Sequence, residues 1–211
     1  MKAFLKQYLN NNFKLEKWQI FGITCLVIAL TGFFGWIYEF FFYYLNSGMK
    51  EFYWRGSNFL PWINIYAVGS IMIVLLTYKL RNNPFLVFII SFLSTGILEF
   101  ITGYVCFEFF GGLRLWDYNT EILNFGNIYG YVCLRSVLFF GLSSLLLMYC
   151  LLPFCIYLSR KMNKKVFLLL STSLCFLCLF DKLYNFLLAK LFGWPDAISI
   201  YSKLGFNFMK Y

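Results

Sequence analysis

Five stretches of this chain, roughly 18–45, 63–80, 84–110, 131–158 and 166–190, stay apolar over windows of about 20 residues, the length a helix needs to cross a hydrocarbon layer about 30 Å thick. Inside that layer the backbone must hydrogen-bond to itself, so such segments fold as helices. The rest of the chain offers no alternative. Of its 211 residues 61% are hydrophobic, 24% aromatic and 13% charged, too little polar surface to coat a soluble domain. The expected fold is an all-α integral membrane protein, a polytopic bundle of about five transmembrane helices. No Gly-Pro-Ser linker or low-complexity tract divides it. The fifth stretch is interrupted by Asp181 and Lys182. It reads either as a span whose Lys182 snorkels at the outer end or as a short span followed by an interfacial helix. The polar, basic first seventeen residues and the long run after them exclude a cleavable signal peptide, so the first span is its own anchor.

The net charge of +9 could suggest nucleic acid, but the basic residues cluster at the ends of apolar segments, as a bilayer arranges them. With a cytoplasmic N-terminus, the inner segments carry Lys2, Lys6, Lys14, Lys17, Lys79, Arg81, Arg160, Lys161, Lys164 and Lys165, against Lys50, Arg55 and Arg114 on the two outer loops. The excess favours that orientation. It divides the chain into a basic cytoplasmic N-terminus (1–17), a four-helix membrane core (18–158), and a basic inner loop, fifth helix and short outer tail (159–211). Trp54, Trp62, Trp116 and Trp194 then fall in outer segments, as an interfacial aromatic belt requires.

The first and third spans each carry a carboxylate well inside their ends. A charge near the middle of a membrane helix costs on the order of 2 to 3 kcal/mol even on mild scales, so it faces protein or water. The first span sets Glu39 on a stripe with Thr31 and Gly35, and the third sets Glu99 on one with Ser91, Thr95 and Gly103, all at steps of four. Small residues mark the face where another helix comes close, so both carboxylates point into the bundle, roughly 10 to 16 Å below the outer ends of their spans. Arg135, about 8 Å into the fourth span, is the natural counter-ion for one of them. Such a trio is either a structural polar cluster or a site for a cation, a proton or a polar substrate in an outward-open cavity. Asn64-Ile65-Tyr66 and Asn127-Ile128-Tyr129 follow these spans in turn. This is compatible with a parallel repeat of two helix pairs and equally with chance, since three-residue matches are common.

Other chemistries find little footing. The seven cysteines lie in or beside apolar segments, where Cys acts as a small buried hydrophobe, and with no His the Cys175/Cys178 pair makes a poor metal or redox motif. No nucleophile and base combination is present beyond paired carboxylates, Glu39 with Glu99 or Glu108 with Asp117. No enzyme, no metal and no cofactor is expected.

The segments GWIYE (35–39), RG (55–56), PWINIYAVG (61–69), LEFITG (98–103) and WDY (116–118), with the Cys133, Ser136 and Gly141 pattern, resemble the bacterial ABC-transporter permease family called type IV or CmpB-like. The likeness covers about residues 30–150. It singles out Arg55, Asn64, Tyr66, Trp116, Asp117, Tyr118 and Asn127 as an outer-loop motif. The family usually has a PIYG-type segment where this chain has Asn64-Ile65-Tyr66-Ala67, and a basic residue after the Gly matched by Gly130, where this chain has Tyr131 and carries Arg135 four residues on. The resemblance implies a transport component in the bacterial plasma membrane. No GxxxxGK[ST] phosphate loop occurs, so ATP would be handled by a separate subunit. The inner segments 79–83 and 159–165 are small for gripping one. The alternatives are a homo-oligomer without an ATPase, and a non-transporting scaffold or regulator bound to another membrane protein.

Overall fold

The computed structural model describes residues 2–10, 14–206 and 209–210. In chain order the helices are α1 (Lys2–Leu9), α2 (Lys17–Asn46), α3 (Asn64–Leu80), α4 (Pro84–Phe109), α5 (Leu134–Lys161), α6 (Lys164–Phe192) and α7 (Ala197–Lys203). Four of them, α2, α4, α5 and α6, are long and apolar enough to cross a membrane. The protein is a multi-pass, all-α membrane protein. Of the five expected spans the second is the short one, since α3 extends only about 25 Å.

Local chemistry sets the helix ends. The Asn83 side chain accepts the N–H groups of Phe85 and Leu86, and Pro84 opens α4 where its missing N–H costs nothing. Asn163 caps α6 through the Lys165 N–H, and Gly193 closes α6 at φ 64°. Within α5 the turn Leu147–Leu151 widens to a π-turn just before Pro153, whose ring and missing N–H disturb the preceding turn. A second π-turn, Tyr184–Leu188, lies where the Asn185 amide donates to the Asp181 carbonyl at 2.9 Å.

The chain packs as two compact units. One comprises Leu15–Ile71 and Phe154–Tyr211. Here α2 runs along α6, so the fifth span is a main packing partner of the first. Gly22 makes the approach possible, because a Cβ there would lie 2.5 Å from the Phe167 ring. The 47–63 segment folds back onto α2: the buried Trp62 donates to the Ile28 carbonyl at 3.1 Å, and a Cβ on Gly32 would meet its Nε1 at 2.0 Å. Asp181 holds the same segment, accepting the N–H groups of Phe59 at 2.9 Å and Leu60 at 2.6 Å. These bonds explain why α6 runs through Asp181 and Lys182 without a break. Lys182 is half-buried and donates to the Gly56 carbonyl at 3.1 Å, so its charge is met by the folded-back segment.

The other unit comprises Met1–Lys14 and Met72–Pro153. α4 and α5 pack closely where Gly96 faces Val137 and Gly141 faces Phe88. Ser91 and Thr95 are buried on the same α4 stripe. α1 is tied in by Tyr8, whose hydroxyl donates to the Met148 carbonyl at 2.7 Å. Arg81, counted as an interfacial charge from the sequence, is only 1% exposed. Its Nε donates to the Tyr8 carbonyl at 2.7 Å and its Nη1 to that of Tyr78, and its guanidinium lies over both tyrosine rings.

Candidate functional site

Glu39 lies one helical turn beyond Gly35, the last buried residue of α2. That glycine is filled by a ring: a Cβ on it would sit 2.2 Å from Tyr66. The close approach puts the Tyr66 hydroxyl on Glu39 Oε1 at 3.1 Å. The second oxygen accepts Arg55 Nε at 2.9 Å, and the Arg55 guanidinium stands 4.2 Å over the Tyr43 ring. The Thr31, Gly35 and Glu39 stripe thus ends in a charge-compensated pair, built from one helix, the segment that follows it and the first turn of α3. Thr31, lower on the stripe, shares a 3.0 Å hydrogen bond with Ser70.

Glu99 is 4% exposed and is built differently. Tyr118, from the segment between α4 and α5, donates to Oε1 at 2.7 Å, and Ser136 in the first turns of α5 donates to Oε2. Burial first, and then the Glu99 charge, push the Tyr118 phenol above its ordinary value, so it remains a proton donor. Both carboxylate oxygens therefore meet neutral hydroxyls.

Arg135 does not serve as the counter-ion expected of it. It pairs with Glu121 at 2.5 Å, both side chains being nearly buried. The helix of α5 begins at Leu134, three residues later than the expected span, so Arg135 stands in its first turn beside the segment that carries Glu121. Glu39 finds its cation in Arg55 instead.

The outer-loop residues assemble within their own segments. Trp116 Nε1 donates to the Tyr131 carbonyl at 2.8 Å, and Asp117 accepts Arg114 at 3.3 Å and the Asn119 amide at 2.8 Å. Asn127 donates to Asn119 and accepts the Gly130 N–H. Gly130, at φ 80°, must be bare: a Cβ there would strike Asn119, Asp117 and Arg114 at 2.4 to 2.6 Å. The two matching tripeptides take different conformations. Asn64 is exposed at the start of α3 and Tyr66 reaches Glu39, whereas Tyr129 is 76% exposed in a loop at φ 53°. Tyr118, not Tyr129, is the phenol on the second carboxylate.

Sequence reasoning missed Glu121 and Asp181. Asp181 ends a buried stripe of Ser171, Cys175 and Cys178 that could have marked it as inward-facing, but the partners of the two carboxylates are a first-turn arginine and two backbone amides, which no spacing announces. A cavity of about 330 Å³ beside Asp181 is lined by Phe59, Leu60, Leu177, Phe180 and Tyr184. The Asp181 carboxylate is taken up by the 59–60 amides and Asn185. Among the described residues no group of three or more Cys, Asp or Glu is arranged to hold a metal ion.

Compared with known families, residues 16–186 match the one described as "Putative ABC-transporter type IV". Neither the curated proteins nor the solved structures return a match.

Proposed function

The chain belongs to the type IV ABC-transporter family, and from that premise we propose that it is the membrane-embedded, permease-like component of a transporter, with intramembrane polar sites at Glu39 in one unit and at Glu99 in the other. The observation that carries the reading is the hydrogen bonding of these two carboxylates, each on a membrane helix and each met by side chains that a following segment folds back to it. Carboxylates at such depth are costly and mark substrate or ion paths. ATP is hydrolysed on a separate chain, since this one has no phosphate loop. In this reading the protein lies in the bacterial plasma membrane, and the excess of Lys and Arg supports a cytoplasmic N-terminus and 159–165 loop.

Affinity purification of the full chain from its native membrane tests this. The expected result is a stoichiometric ATPase subunit whose hydrolysis depends on the membrane chain. A homo-oligomer that carries no ATPase would overturn it. One observation favours a second reading, a scaffold or regulatory subunit: Glu39 is fully engaged by Arg55 and Tyr66, as a static cluster would be. Glu39→Gln separates the two, because a scaffold keeps its partner and its phenotype while a transport site loses function.

A further inference from the structure

The two carboxylates differ in one respect that bears on what each can carry. Glu39 has a cation, Arg55, on one oxygen. Glu99 has no ion pair among the described residues: Tyr118 and Ser136 occupy its two oxygens, and Arg135, whose charge acts on it from a distance, is bonded to Glu121. Around Glu99 the groups that can carry charge are Tyr118 and Glu121 from the segment after α4, and Cys133 and Arg135 at the start of α5. Tyr118 and Cys133 are neutral in their ordinary forms, so two acids face one base. If Glu99 is ionised, the cluster holds one surplus negative charge at a position 4% exposed. A buried charge without compensation is removed by taking up a proton or a cation.

We propose that Glu99, with Tyr118 and Ser136 around it, is a proton-carrying group of this membrane chain. At rest it is a neutral carboxylic acid. Its proton sits on Oε2 and is donated to Ser136 Oγ, whose own hydroxyl hydrogen turns to the Tyr118 oxygen, while Tyr118 donates to Oε1. On release the proton leaves Oε2 for water, Ser136 rotates to donate to the carboxylate, and the site gains one negative charge. The hydroxyls suit both states, because Ser136 can accept or donate and Tyr118 donates throughout. Glu39 keeps its Arg55 and does not exchange. The proposal rests on the reading of Glu99 as part of a transport site, and it names the cargo or coupling ion as the proton.

Infrared spectroscopy of the full chain in lipid nanodiscs at neutral pH tests it, reading protonation whether or not the protein transports. The ATPase purification above decides the transport reading separately. The expected result is a protonated-carboxyl carbonyl band that shifts in D2O, disappears in Glu99→Gln and persists in Glu39→Gln. Tyr118→Phe should retain the band and move its frequency, and this variant decides the matter if Glu99→Gln fails to fold. The proposal is overturned by absence of the band in the unmodified protein, by its survival in Glu99→Gln, or by a frequency indifferent to Tyr118→Phe. Loss of the band on exchanging choline chloride for sodium chloride would also overturn it, since the site would then hold a metal cation.

Discussion

Asp181 accepts the backbone N–H of Leu60 at 2.6 Å, joining α6 to a residue 121 positions earlier in the chain. Its other oxygen takes the Phe59 N–H and the Asn185 amide, so one carboxylate anchors a folded-back segment and the turn into a π-turn.

Asp181→Ala would leave two amide groups without acceptors, at about 1 to 3 kcal/mol each. Its melting temperature in detergent should fall well below that of the unmodified protein, with Asp181→Asn in between because it keeps one acceptor oxygen. Equal melting of all three would show that the 59–60 amides find other acceptors.

Gly32 and Gly35 hold the ring contacts that bring the 47–66 region to α2. A Cβ on Gly32 would sit 2.0 Å from Nε1 of Trp62, an indole 2% exposed and hydrogen-bonded to Ile28, so it has little room to yield. Overpacking of this kind costs about 1 to 3 kcal/mol. Gly32→Ala and Gly35→Ala should each lower the melting temperature, whereas Phe41→Leu, at a residue 57% exposed, should be nearly neutral. A comparable drop in all three would remove the case that these glycines mark helix contacts.

What could be read in advance follows the bilayer. Span positions were legible because hydrocarbon demands about 20 apolar residues whatever the tertiary structure, and the inward direction of Glu39 and Glu99 was legible because only a packed face keeps Gly, Ser and Thr in register. Partners were not. Arg135 looked suitable as the cation lying deepest within the first four spans, yet side-chain pairing depends on how the connecting segments fold, and those brought Arg55 to Glu39 and Glu121 to Arg135. Of the two readings of the fifth stretch the continuous span holds, and composition could not choose between them because the Asp181 charge is satisfied by amides far off in sequence.

Arg81 should prove to be the lock on α1. Its guanidinium caps the ends of two helices at the Tyr8 and Tyr78 carbonyls, and no carboxylate among the described residues pairs with it. Hydrogen bonds from a charged donor contribute about 1.5 to 3 kcal/mol each. Arg81→Met should therefore raise amide hydrogen exchange across Lys2–Leu9 while leaving Lys164–Leu183 protected. Unchanged exchange in α1 would mean that the Tyr8 contact with Met148 suffices alone.

The Glu39 and Arg55 pair can be dissected by a double-mutant cycle. Removing Arg55 alone leaves a half-buried carboxylate with only the Tyr66 hydroxyl, whereas removing both charges leaves two neutral groups of similar size. Truncating one partner of a buried charge pair typically costs more than removing both. Arg55→Met should thus destabilise the protein more than Arg55→Met combined with Glu39→Gln, with a coupling of about 0.5 to 3 kcal/mol. Arg135→Met combined with Glu39→Gln serves as the reference pair, and its effects should add. If Arg55 and Glu39 add as well while Arg135 and Glu39 couple, the counter-ion of the GWIYE carboxylate is Arg135 after all.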